Sequence, residues 1–126
     1  MKNEKITRER LVRLEGILKV RRPHKGIGEI ALLEKMERLG ELRKYPVYSS
    51  PGLFCEVIIP GNPRVLHCAH ADTVDKNDGE KPIILDRTNG VVSTAKGESC
   101  LGADDGAGVF LIFEMIAAGI PGVYTL

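Results

Sequence analysis

Val65-Leu66-His67-Cys68-Ala69-His70-Ala71-Asp72-Thr73-Val74 is the stretch on which the reading of this chain turns. It follows a turn-like Pro60-Gly61-Asn62-Pro63, and residues 64–69 read as a buried strand. A strand alternates its side chains, so Cys68, His70 and Asp72 share one face while His67, Ala69 and Ala71 share the other. With the strand ending near Ala71, His70 and Asp72 project together from its C-terminal end, where open α/β sheets place their ligand sites. His70 can then ligate a metal through one ring nitrogen, with Asp72 accepting the proton on the other and fixing the tautomer. The plain alternative is a buried histidine hydrogen-bonded to a nearby aspartate. A second acidic motif downstream puts metal ligation ahead of it. His67 points the other way and reads as a core or surface histidine, and Cys68 reads as a small buried thiol.

That second motif is Leu101-Gly102-Ala103-Asp104-Asp105-Gly106-Ala107-Gly108, set between a loop and an apolar helix. A carboxylate at a helix start is favoured by the dipole and can cap free amides, but one cap needs one carboxylate. Two adjacent aspartates flanked by glycine and alanine let the backbone approach a partner closely. A phosphate loop is excluded by the repulsive charge and by the missing Lys-Ser or Lys-Thr. A calcium loop is excluded by the lack of alternating oxygen ligands. A carboxylate shared between two divalent ions fits better. A histidine and separated acidic sites, each at the end of an apolar run, are the raw material of a hydrolytic metal centre.

Outward from these motifs the pattern predicts an α/β fold. Residues 6–20 form an amphipathic helix with Ile6, Leu11, Leu14, Ile17 and Leu18 on one stripe, ended by Arg21-Arg22-Pro23. Residues 29–39 give a second, with Ile30, Leu33, Met36 and Leu39 on one side and Gly40 closing it. Pro46, Ser49, Ser50, Pro51 and Gly52 make a connector, and Phe54–Ile59 pairs with residues 64–69 as a hairpin. Ile83–Leu85 and Val91–Thr94 flank an Asn89-Gly90 turn. Residues 105–118 are apolar almost all round, the pattern of a helix buried against a sheet, and residues 123–126 open another strand. The expectation is one domain over 1–126, helical over 1–44 and α/β over 45–126: two N-terminal helices, then a mixed sheet with a buried helix packed on it.

The 18 basic and 17 acidic residues nearly cancel, which gives no reason to expect nucleic acid or an anionic membrane as partner. The mixed charges of residues 1–45 read as solvated helix faces, and Lys19-Val20-Arg21-Arg22 is too short for a binding patch. Three cysteines, Cys55, Cys68 and Cys100, form no CxxC pair and read as reduced thiols. With no signal-peptide pattern after Met1 and no bilayer-length apolar run, the expected location is cytoplasmic.

Residues 65–74 and 101–109 resemble the co-catalytic zinc peptidase superfamily, which takes in peptidase T, related carboxypeptidases and deacylases, and the zinc aminopeptidases. The opening of two helices and a strand pair is similar to that family's catalytic-domain start. The Leu-Gly-Ala-Asp-Asp form leans towards peptidase T and similar aminopeptidases. The resemblance implies that His70 binds one zinc, that Asp72 orients His70 and that Asp104 bridges two zincs. It also implies a cis peptide between Asp104 and Asp105. The substrate it implies is a small peptide or an N-acyl amino acid.

The family's general base, the first residue of a Glu-Glu pair, has no counterpart here, since this chain contains no Glu-Glu. A further acidic ligand and a distal histidine are also missing, and His24 and His67 do not replace the latter by motif. The expectation is therefore an incomplete zinc-peptidase catalytic domain, truncated or split, with weak or partial zinc binding and negligible hydrolysis alone. The alternative is a non-catalytic interaction or regulatory module derived from the fold, or one half of a split enzyme. On this reading, the helix at 105–118 and the edge at 123–126 would expose apolar surface and unpaired backbone. Self-association or a complementing chain is then expected.

Overall fold

The computed structural model describes residues 2–62 and 64–126, and of Lys2 and Ile6 the backbone only. Met1, Pro63 of the expected turn and the place of Ile6 on the first helical stripe therefore lie outside the described residues. The elements run α1 (Lys2–Leu18), α2 (Ile27–Leu42), β1 (Val47–Ser50), β2 (Phe54–Ile59), β3 (Leu66–Cys68), β4 (Ile83–Asp86), β5 (Val91–Thr94), α3 (Ala103–Ala117) and β6 (Gly122–Thr125). The result is the mixed α/β fold expected, with three helices and two sheets among the described residues.

The main sheet has the order β1-β2-β6-β3, with β3 and β6 parallel and the other pairs antiparallel. The expected hairpin between β2 and β3 does not form. The two strands do run in opposite directions, but β6 occupies the slot between them, with Val123 in register with both Ile58 and Leu66. Tyr124 explains the preference: it is fully buried, and its ring stacks on His67 at 4.9 Å between centroids. So residues 123–125 are paired on both sides, and the exposed edge expected there is absent. The β4–β5 hairpin forms as expected and makes the second sheet.

The core lies on one face of the main sheet. Cys55, Val57, Ile59 and Tyr124 meet Ile17 of α1, Leu32, Leu33 and Met36 of α2, and Val109, Ile112, Phe113 and Ile116 of α3. The opposite face keeps Tyr48, Phe54, Leu66 and Cys68 exposed. The buried thiol expected at Cys68 is thus corrected: the side chain points away from the helices, in register with Thr125 on the uncovered face. Nor is α3 buried all round, because Leu111 is 58% exposed.

Local differences have local causes. Helix α1 stops at Leu18, before the expected end, because the backbone of residues 19–23 is drawn into extended pairing with residues 79–81 and 73. Gly40 does not close α2 but lies inside it, where a Cβ would stand 2.6 Å from Val47 Cγ2 and 2.9 Å from Val57 Cγ2. The helix ends instead with Lys44 at φ 58°, whose amide reaches Glu41 O while that of Tyr45 reaches Gly40 O. The connector at 47–50 is strand β1; as an edge strand it tolerates Ser49 and Ser50 on its surface.

Candidate metal centre

Strand β3 ends at Cys68, so His70 and Asp72 sit on the loop just past its C-terminal end, opposite the start of α3. The His70 Nδ1 lies 2.9 Å from the backbone oxygen of Asp72 and 3.2 Å from its Oδ1. The Nε2 lies 3.0 Å from Asp104 Oδ1. The two sequence motifs therefore meet through one imidazole. With oxygen acceptors at both ring nitrogens, a neutral imidazole can donate to only one of them. A proton or a metal cation between Nε2 and Asp104 resolves the mismatch. Partial burial pulls the His70 pKa down, but the hydrogen bonds to Asp104 and to the Asp72 backbone, with the charges of both aspartates, outweigh it and raise the value.

The adjacent aspartates are used differently. Asp104 has a side chain 96% exposed and presents it to His70 and to solvent. Asp105 turns inward and accepts the amide N–H of Gly108 at 3.2 Å, the geometry of a helix cap. Both have non-helical backbone angles, so the regular helix begins after them, and the peptide bond between them is cis. Gly108 is needed here, because a Cβ would stand 2.3 Å from Asp105 Oδ1.

His70, Asp72, Thr73, Val74, Cys100 and Asp104 line part of a cleft of about 450 Å³. A larger groove of about 1030 Å³ lies between the first turns of α1 and the β4–β5 hairpin. Glu4 and Asp86 line it but no histidine or cysteine does, so the pairing of an imidazole with a carboxylate belongs to the smaller cleft.

Behind the cleft is a buried polar cluster that sequence reasoning missed. Arg22 is 0% exposed. Its Nε donates to Ala71 O at 2.7 Å, Nη1 to Ile17 O at 2.6 Å and Nη2 to Gly102 O at 2.8 Å. Burial lowers its pKa against the charges of Asp75, Cys100 and Asp72. Beside it Lys81 Nζ, also buried, donates to both oxygens of Asp75 at 3.0 and 3.1 Å and to Cys100 O at 2.8 Å. Arg22 belongs to the short basic run Lys19-Val20-Arg21-Arg22, and nothing in charge pattern or periodicity distinguishes a buried arginine from a solvated one. His24, set aside by motif as a distal ligand, also comes near: its Nδ1 lies 3.7 Å from Asp72 Oδ2, so Asp72 stands between two imidazoles. His67 faces the core side, as expected of a histidine on the opposite face from Cys68.

The donor set suits zinc in kind, pairing an imidazole nitrogen with a carboxylate oxygen and holding the other ring nitrogen in the outer shell. It is small in number. Among the described residues no group of three or more His, Cys, Asp or Glu side chains is arranged to hold a metal ion. Compared with protein-family models, with curated proteins and with solved structures, the chain matches none. Among the described residues no helix is long and apolar enough to cross a membrane.

Proposed function

We propose that this chain supplies two protein ligands, His70 and Asp104, to a zinc-dependent peptide-hydrolase centre of the aminopeptidase or tripeptidase type. The observation that carries the reading is the imidazole of His70 held at Nδ1 by Asp72, with its Nε2 facing the exposed carboxylate of Asp104 at 3.0 Å. Asp72 keeps the proton on Nδ1, which leaves the Nε2 lone pair for a cation. Asp104 adds an anionic oxygen and has a second oxygen free to reach a neighbouring ion. Zinc would supply Lewis acidity there, acidifying water and polarising a carbonyl oxygen. Val74 and Leu101 give the cleft an apolar wall against which a short peptide or an N-acyl amino acid can lie.

Two donors fall short of the three protein ligands usual for catalytic zinc, and no Glu-Glu base is present. The proposal therefore includes weak zinc binding and negligible turnover by this chain alone, with completing ligands supplied by other residues. Isothermal titration of the metal-free protein with zinc checks it. One site that disappears in His70→Ala and in Asp104→Asn, and weakens as pH falls through the raised pKa of His70, is the expected result. Unchanged zinc uptake in both variants would sink the reading.

A second reading, a non-catalytic module that docks on another chain, is favoured by the uncovered sheet face bearing Tyr48, Phe54 and Leu66. A monodisperse monomer by light scattering, at concentrations up to those of the zinc titration, counts against its self-associating form.

A further inference from the structure

We infer that Arg22 is a positioning residue that sets the separation of His70 and Asp104; this rests on the zinc-centre reading above. Ala71, which accepts from Arg22 Nε at 2.7 Å, lies between His70 and Asp72 in the chain. Gly102, which accepts from Nη2 at 2.8 Å, lies two residues before Asp104. One planar guanidinium thus ties together the two segments that present the candidate ligands, and Nη1 fixes it to the end of α1 through Ile17 O at 2.6 Å. The backbone of Arg22 grips the first segment again: its N–H donates to Asp75 Oδ2 at 3.2 Å, and its carbonyl accepts from the Thr73 amide at 2.7 Å.

Three features separate a positioning role from mere filling of space. The guanidinium is wholly buried, yet its partners are all carbonyl oxygens. An apolar side chain would spare the desolvation of a charge but deprive the Ala71, Ile17 and Gly102 carbonyls of this donor, so the fork does more than fill space. The acceptors are spread around a planar fork, which the single ammonium of lysine cannot reproduce. Gly106 makes the room: a Cβ there would stand 2.8 Å from Arg22 Nη2. Lys81 adds a second tie between the same two segments, joining Asp75 to the carbonyl of Cys100.

The test uses Arg22→Met and Arg22→Lys, with Arg13→Ala as a control. Arg13 pairs with Glu114 between α1 and α3, away from the cleft. Gly106→Ala provides a second route, keeping Arg22 but pressing a methyl against its fork. Zinc affinity and thermal midpoint are measured on each. The expected result is a zinc affinity at least tenfold weaker in Arg22→Met, Arg22→Lys and Gly106→Ala. In Arg13→Ala the midpoint falls while the affinity holds. Wild-type zinc affinity in any folded Arg22 variant, or in Gly106→Ala, overturns the inference, because a purely structural role lowers the midpoint alone.

Amide hydrogen exchange in the metal-free proteins keeps the two proposals distinguishable. The Thr73 amide, bonded to Arg22 O, and the Gly106 amide, bonded to Gly102 O, report on the two segments separately. Joint loss of protection at both in Arg22→Lys or Gly106→Ala supports the tie even where the wild type takes up no zinc. Wild-type protection at both removes it.

Discussion

Asp104 and Asp105 are neighbours whose deletion should have opposite consequences. Asp105 caps α3 through the Gly108 amide, so Asp105→Ala is expected to cost about 1 kcal/mol of stability and leave zinc uptake intact. Asp104 is almost entirely in solvent and caps nothing, so Asp104→Ala should abolish zinc uptake with little change in stability. Urea denaturation beside zinc titration checks both, and a shared loss in either variant would undo the division. The cysteines divide in a similar way. Burial, with the charges of Glu37, Glu41 and Glu56, pushes the Cys55 thiol up to about 11, whereas Cys68 lies exposed on the outer sheet face. A thiol-specific chromogenic reagent at pH 8 should label Cys68 rapidly and Cys55 only on unfolding. Mass mapping of the labelled sites reads the outcome, and early label on Cys55 would contradict the buried core position.

At the scale of elements, what was legible is what depends on neighbours in sequence. The apolar spacing of Leu14, Ile17 and Leu18, or of Leu33, Met36 and Leu39, places α1 and α2, and Asn89-Gly90 places the β4–β5 hairpin. The two motifs were legible because strand alternation puts His70 and Asp72 on one face and because Asp104-Asp105 carries one carboxylate more than a helix cap needs. What depends on distant partners was not legible. Gly40 looks like a helix stop, but its purpose is set by Val47 and Val57, which lie across the packed interface. The buried fork of Arg22 likewise has acceptors at residues 17, 71 and 102, which no local pattern links. Gly40→Ala should therefore destabilise the protein by about 1–3 kcal/mol through overcrowding, despite the better helix propensity of alanine. Chemical denaturation gives the sign directly; a stabilised variant would mean that α2 does not sit so close to β1 and β2.

Over the whole molecule, acid sensitivity has an identifiable source. Burial pushes the Asp75 carboxyl up, but hydrogen bonds from Thr73, Lys81 and the Arg22 amide, with the charge of Lys81, hold it down at about 2. In the unfolded chain the same group titrates near 3.8, so below that value the unfolded state binds the extra proton. The contribution is complete above about pH 5, falls as pH drops from 4 towards 2, and amounts to about 2 kcal/mol. Urea midpoints measured across that range should show the decline. Asp75→Asn should flatten it while costing roughly 3–5 kcal/mol at neutral pH, because Lys81 is left buried without its partner. An unaltered pH profile in the variant would assign the acid step elsewhere.

The position of β6 also has a meaning in time. Strand β3, which leads directly to His70, lies at the edge of the sheet and reaches β2 only through β6. The pairing of residues 122–125 with residues 54–59 and 66–68 closes loops of some sixty residues, which makes it a slow event compared with helix formation or the closing of the β4–β5 hairpin. Because the strand leading to His70 has β6 as its pairing partner, full metal uptake is expected to develop no earlier than that pairing, which refolding in the presence of a zinc-sensitive dye can time.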